Sequence, residues 1–161
     1  MKKGWIIAAV ILMSVGIALF VGASAASGLD VSYLGLDEYE SNKYTIKDPF
    51  SDIEICSEDT DITFLPTNEE ICTVVCDENE KVKHSVAVDN DTLRITFEDD
   101  REWFERISLF SRTLHMTVYL PSDKYDDLLV DSSTGDVFMH SDLSFKSIDV
   151  TSSTGGVTCE A

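Results

Sequence analysis

Basic residues are scarce in this 161-residue chain: 12 Lys and Arg stand against 30 Asp and Glu. Two of the twelve, Lys2 and Lys3, precede Gly4–Leu29, a segment with no charged side chain. Beyond Gly28, ten basic residues face all 30 acidic ones, a formal charge of −20. Phosphate binding needs a basic face, so no nucleic acid is expected as a partner. Docking on an anionic membrane surface is excluded for the same reason. The charge suits a domain kept soluble in water, or one attracting cations or a basic partner.

Catalytic motifs are also missing. No Gly-x-Ser-x-Gly, His-Glu-x-x-His or P-loop occurs. His84, His115 and His140 sit singly in β-patterned sequence, and His84 and His115 read as surface strand residues. Stacked β-folds that cleave polysaccharides need acids and bases converging on one face. Here the corner positions are Ser and Thr, and the basic residues are scattered. Acidic turns around Glu58-Asp59-Thr60-Asp61, Asp89-Asn90-Asp91, and Asp131 with Asp136 offer oxygen ligands but match no calcium-loop pattern. The four cysteines, Cys56, Cys72, Cys76 and Cys159, show no zinc-ligand spacing. An even count in an exported domain permits disulfides. Cys72 and Cys76 would face the same way on one strand about 13 Å apart, too far for a mutual bridge. Buried apolar thiols are the expectation, with Cys159 a small core residue. No catalytic residue, cofactor or metal is assigned.

What the chain does have begins with an apolar run, Trp5 to Gly22. As a helix it is about 27 Å long, close to the hydrocarbon thickness of a bilayer. Lys2 and Lys3 favour a cytoplasmic N-terminus. Ala23-Ser24-Ala25 has the small residues of a signal-peptidase site, the rival reading. Either way, the acidic part is extracytoplasmic.

The tail carries an internal repeat. Leu128-Leu129-Val130-Asp131-Ser132-Ser133-Thr134-Gly135-Asp136-Val137-Phe138-Met139 is matched twenty positions later by Ile148-Asp149-Val150-Thr151-Ser152-Ser153-Thr154-Gly155-Gly156-Val157-Thr158-Cys159. Leu128 and Val130 are even-numbered, Val137 and Met139 odd. A single strand keeps its inward residues on one parity, so the chain must turn at Ser-Ser-Thr-Gly. Gly can take positive φ there, and the hydroxyls can bond the turn backbone. Each copy is therefore strand, corner, strand. One rung orders too many residues for the four side chains it buries, so rungs must stack. A third, degenerate copy lies 75 residues upstream: Ile53 falls on Leu128, Ile55 on Val130, Asp61 on Asp136, Ile62 on Val137 and Phe64 on Met139. Its corner lacks Gly.

Between these copies, strands are predicted at 71–76, 83–88, 92–97 and 113–120, with a polar turn at Asp77-Glu78-Asn79-Glu80 and a hairpin at Asp89-Asn90-Asp91. Val86, Val88, Leu93, Ile95 and Phe97 should face the core. The aromatic excursion Glu102–Phe110 reads as a plug over the open end of the stack, with a partner or lipid contact as the functional alternative.

Residues from about 43 to 161 resemble the DUF4097 family of β-strand-repeat envelope proteins, also called putative adhesins. The resemblance rests on Pro49-Phe50-Ser51-Asp52-Ile53-Glu54-Ile55, Asp61-Ile62-Thr63-Phe64-Leu65-Pro66, Val118-Tyr119-Leu120-Pro121 and the two Ser-Ser-Thr-Gly corners. The Lys-Lys and apolar N-terminus is similar to members from Gram-positive bacteria. The resemblance implies a β-solenoid-like, membrane-tethered surface domain and brings no catalytic residues. It also implies further rungs beyond residue 161, so either the chain is a fragment or something else caps residues 148–161.

The expectation is an all-β, stacked β-repeat extracytoplasmic domain over residues 48–161. A cytoplasmic N-terminus (1–4), a transmembrane helix (5–25) and a linker (26–47) precede it. Its expected work is that of an adhesin-like interaction or scaffold module on the outside of the cell membrane, binding a protein or glycan partner without catalysis. The candidate contact residues are Ser132, Ser133, Thr134, Gly135, Asp136, Ser152, Ser153, Thr154 and Gly155. An envelope-stress sensor acting on a membrane partner is the alternative, and a glycan-active enzyme stands last.

Overall fold

A computed structural model describes residues 9, 11–19, 22, 39–102, 113–122 and 124–160. Among the described residues there are ten strands: β1 (Glu40–Ile46), β2 (Asp52–Thr67), β3 (Cys72–Glu78), β4 (Val82–Asp89), β5 (Thr92–Asp99), β6 (Leu114–Pro121), β7 (Lys124–Thr134), β8 (Val137–Met139), β9 (Ser144–Thr154) and β10 (Val157–Cys159). They form two hydrogen-bonded layers that share β2.

The first half of β2 pairs in parallel with β5 and β7, and its second half with β6 and β8. One layer therefore runs β4-β5-β2-β7-β9 and the other β1-β3-β6-β2-β8-β10. The three repeat copies are parallel rungs: β2 alone, then β7 with β8, then β9 with β10. Their register is the one read from the sequence. Ile53 pairs Leu128, which pairs Ile148; Ile62 pairs Val137, which pairs Val157. The offset of 75 between the first two rungs, against 20 between the second and third, arises because β3 to β6 lie between them in sequence. Those strands widen the layers, with β1-β3-β6 and β4-β5 running antiparallel.

The core lies between the layers. Ile53, Ile55, Leu93, Ile95, Leu128 and Val130 come from one side, and Ile62, Phe64, Val74, Met116, Val118 and Val137 from the other. Buried positions alternate with more exposed ones along β6 and along each half of β2, the parity switching between Ser57 and Thr60, which explains why these segments read so clearly as strands. Asn90 and Asp91 both have positive φ between the paired Asp89 and Thr92, so the hairpin expected at Asp89-Asn90-Asp91 closes with a two-residue turn.

Several expectations change. Residues 26–47 read as a linker, yet Glu40–Ile46 forms β1 along β3. Its alternate residues Asn42, Tyr44 and Ile46 are polar, aromatic and apolar, so no plain alternation marks it. The turn expected at 77–80 begins later, because Glu78 is still strand and buried. Cys159 is exposed rather than core, because β10 has a neighbour, β8, on one side only. All four cysteines are free thiols, Cys72 and Cys76 buried, Cys56 exposed. Most of Glu102–Phe110 lies outside the described residues, as do ten of the 21 residues 5–25. Residues 11–19 are helical, and among the described residues no helix is long and apolar enough to cross a membrane.

Candidate functional site

The corners come first because the repeat singles them out. In each, the glycine sits at φ 133° (Gly135) or 140° (Gly155), a region that side chains strain to enter. Stacking adds a second reason. A Cβ on Gly135 would overlap the Thr60 carbonyl oxygen, and one on Gly155 would overlap that of Gly135. The first rung has no corner of this kind, and Thr60 occupies the place without positive φ.

Two side-chain columns lock the corners. Ser57, Ser132 and Ser152 pair in register. Ser132 Oγ donates to the carbonyls of Glu58 (3.4 Å) and Thr134 (3.3 Å), and Ser152 Oγ to that of Thr154 (3.2 Å). Beside them runs a carboxylate ladder. Asp61 Oδ1 accepts the backbone N–H of Asp136 at 2.8 Å, and Asp136 Oδ1 accepts that of Gly156 at 2.6 Å. Gly156 stands where the next acid would be, so the ladder ends there. Asp136→Ala should cost about 1 kcal/mol, toward the low end for a charged hydrogen bond because this one is exposed. Asp136→Asn should cost less, since an amide oxygen still accepts. Urea unfolding of both variants checks the order.

A third column escaped the sequence reading. Phe50, Tyr125 and Phe145 are separated by the same 75 and 20 residues and stack with ring centroids 5.8 and 5.5 Å apart. Extending the repeat three positions N-terminal would have found it.

The nine candidate contact residues divide. Ser132 and Gly135 are buried, Ser152 is half-buried, and Ser133, Thr134, Asp136, Ser153, Thr154 and Gly155 are exposed. The structure thus separates residues that build the corner from those that face outward. Ser133 and Thr134 lie one rung from Ser153 and Thr154, about 4.8 Å away.

At the far end of the layers, next to β1 and β4, lies a cluster that was not anticipated. His84, read as a surface residue, is buried, as its shared parity with Val82, Val86 and Val88 requires. Its Nδ1 lies 3.0 Å from Glu78 Oε1. Glu78 also accepts from the His84 backbone N–H (2.7 Å), Tyr44 Oη (2.9 Å) and Asn42 Nδ2 (2.6 Å). Burial pushes the Glu78 carboxyl up, but these donors outweigh it and hold the group below its ordinary value. Burial drives the His84 ring down against the opposing pull of Glu78, so the imidazole is neutral at pH 7. An ionised carboxylate only accepts, so Nδ1 carries the ring proton. Nε2 then holds a lone pair, and this buried atom has no hydrogen-bond partner. Cys76, two residues before Glu78 on the same strand face, completes the cluster. Burial, then the charges of Glu78 and Asp77, push its thiol up to about 12. One ligand-type atom from each of Cys76, Glu78 and His84 lies within 4.8 Å of the others. The signal was Cys-x-Glu on one strand and an inward His on the next.

A putative cell adhesion protein from Clostridium sporogenes superposes with a TM-score of 0.49 at 16% identity, over 73% of this chain and 59% of that one. A putative adhesin from Bacteroides fragilis gives 0.44 at 14% identity, over 75% of this chain and 62% of that one. The chain thus spans about three-fifths of the length of these two proteins. No curated protein matches it. The family profile described as Toastrack DUF4097 matches residues 50–161, which takes in all three rungs and both glycine corners, and the chain belongs to that family.

Proposed function

We propose that this chain is an adhesin-like interaction or scaffold module of the cell envelope, held at the membrane by its apolar N-terminus and without catalytic activity. The observation that carries the reading is the outward half of the corner array. Ser133 and Thr134 over Ser153 and Thr154 present four exposed side-chain hydroxyls in register, on corners whose inward half is fixed by packing and hydrogen bonds. A rigid row of hydroxyls spaced by one rung suits contact with a protein backbone or a glycan, both rich in complementary donors and acceptors. The charge of the acidic part keeps nonspecific anionic partners away. Membership of the Toastrack DUF4097 family supports a repeat scaffold. The three histidines lie on β4, on β6 and just after β8, and among the described residues His115 and His140 lie 3.7 Å from Asp61 and Asp142.

The test is a pull-down with the full-length chain in detergent against wall glycans and membrane proteins. A variant carrying Ser133→Ala, Thr134→Ala, Ser153→Ala and Thr154→Ala serves as the control, with the buried Ser132 and Gly135 left intact. The expected result is a specific partner whose recovery falls at least tenfold with the variant. Equal recovery by both chains would remove the corners as the contact face. Turnover of any wall polysaccharide would overturn the non-catalytic reading.

A further inference from the structure

The Cys76–Glu78–His84 cluster is placed differently from the corners and is independent of them. Its three residues are almost fully enclosed: Cys76 is 0%, Glu78 2% and His84 5% exposed. Buried side-chain polar atoms without partners are rare in folded proteins, and each needs an explanation. Among the described residues there are three, and two are hydroxyls beside the first corner, Ser57 Oγ and Thr60 Oγ1. The third is His84 Nε2, an imidazole lone pair with no donor.

Three features favour a cation over an idle polar network. The first is the ligand set. A thiol, an imidazole and a carboxylate together are the donors that zinc takes, whereas hard cations such as calcium and magnesium select oxygen alone. The second is spacing. With zinc–sulfur and zinc–nitrogen bonds of about 2.3 and 2.0 Å, neighbouring tetrahedral ligands lie roughly 3.5 Å apart. Ligand atoms already within 4.8 Å need to close by only about an ångström. The third is orientation. His84 Nδ1 and Glu78 Oε1 already lie 3.0 Å apart, close to the separation of two ligands on one ion, and the ring meets Phe97 edge-on with centroids 5.5 Å apart. An ion there takes the place of the proton between the two atoms, and that proton moves to Nε2. Charge balance agrees, since a thiolate and a carboxylate neutralise a dication in a place that excludes water. An approach also exists. A surface depression of about 550 Å³, lined by the acids Glu40, Glu78 and Glu80 and by Lys81 and Lys83, reaches the cluster from solvent.

We propose that Cys76, Glu78 and His84 form a buried binding site for one thiophilic divalent cation of the zinc class, joining β3 to β4 and so tying the two layers together at the end opposite the open rung. Binding transfers the thiol proton of Cys76 to solvent and forms a sulfur–metal bond, with no change of oxidation state. The ion's role is structural, and Tyr44 and Asn42 position Glu78.

The probe is cobalt(II), followed by zinc, on the full-length chain freed of metal with a chelator. One equivalent of cobalt should produce a thiolate-to-cobalt charge-transfer band, and one equivalent of zinc should remove it. Cys76→Ser should abolish the band and Cys72→Ser should keep it, because Cys72 is a buried thiol on the same strand but outside the cluster. Glu78→Gln should weaken zinc binding by at least about 10-fold, the smallest loss seen even for residues that only support a ligand. A chain with Cys56, Cys72 and Cys159 all changed to Ser keeps the test independent of how Cys76→Ser folds: it should still bind one equivalent with the same band. Loss of the band in that triple variant, or its absence from the parent chain with a native circular dichroism spectrum, would show a metal-free polar network and overturn the proposal. A band that survives in Cys76→Ser would place the metal elsewhere, with the same consequence.

Discussion

Gly135→Ala is expected to lower the unfolding free energy by about 3 kcal/mol or more, the largest effect of any single methyl added to this chain. Two costs combine. The residue must hold φ near 133°, a conformation that strains any side chain by about 1–3 kcal/mol. The new Cβ must also displace the Thr60 carbonyl, which is backbone and cannot swing away. That carbonyl sits where β2 passes from one layer to the other, so moving it disturbs the pairing of β2 with both β7 and β8. Gly155→Ala meets the same two costs against Gly135, but its rung has a free outer side and can lift. It should lose less than half as much. Gly156→Ala is the control, because its nearest contact is Asp136 Oδ1 at 3.4 Å, and it should change stability by no more than about 0.5 kcal/mol. Urea unfolding followed by circular dichroism measures all three. Equal losses at Gly135 and Gly156 would mean that the stacked corner is not what demands glycine.

That glycine pair shows why the rungs were legible in the sequence. A corner that must pack on the corner below admits few residues, so Ser-Ser-Thr-Gly repeats, and the inward positions on either side repeat with it. Parity alone then gives the turn, and the offsets of 75 and 20 give the register that Ile53, Leu128 and Ile148 adopt. The first corner was harder to read because no second corner stacks beneath it: Thr60 pairs there with Leu114 at the start of β6, and a non-glycine residue suffices. Strand β1 was invisible because Asn42 and Tyr44 face Glu78 rather than an apolar core, which breaks the alternation that marks a strand. The Glu78–His84 pair hid for the same reason. A carboxylate and an imidazole are read as surface groups until a partner is known, and the partner lies six residues away across a turn. Parity did place His84 inward with Val82; composition overrode it. Cys159 shows the opposite error. The repeat correctly put it beside Met139, but a position in register is buried only if another layer covers it.

Truncating the inward column at successive rungs should give a steep gradient. Phe64, Met139 and Cys159 occupy one column, the first two at 0% and 4% exposure and the third exposed. Phe64→Ala removes an aromatic ring from the centre of the core and should cost about 3–5 kcal/mol. Met139→Ala should cost about 2–3 kcal/mol, and Cys159→Ala less than about 0.5 kcal/mol. The parallel column Ile53, Leu128 and Ile148 supplies a second series. Leu128→Ala, at 1% exposure between two strands, should cost about 3 kcal/mol, whereas Ile148→Ala, at 45% exposure, should cost about 1 kcal/mol or less. Area buried sets the order, because each outer residue lacks the neighbour that would exclude water from its far side. The measurement is unfolding of the full chain at several protein concentrations. A gradient independent of concentration matches the structure as described. If Ile148→Ala proved as costly as Leu128→Ala, and the cost rose with concentration, the exposed edge of β9 and β10 would be covered in solution by a second copy, since only association makes a side chain's contribution depend on how much protein is present.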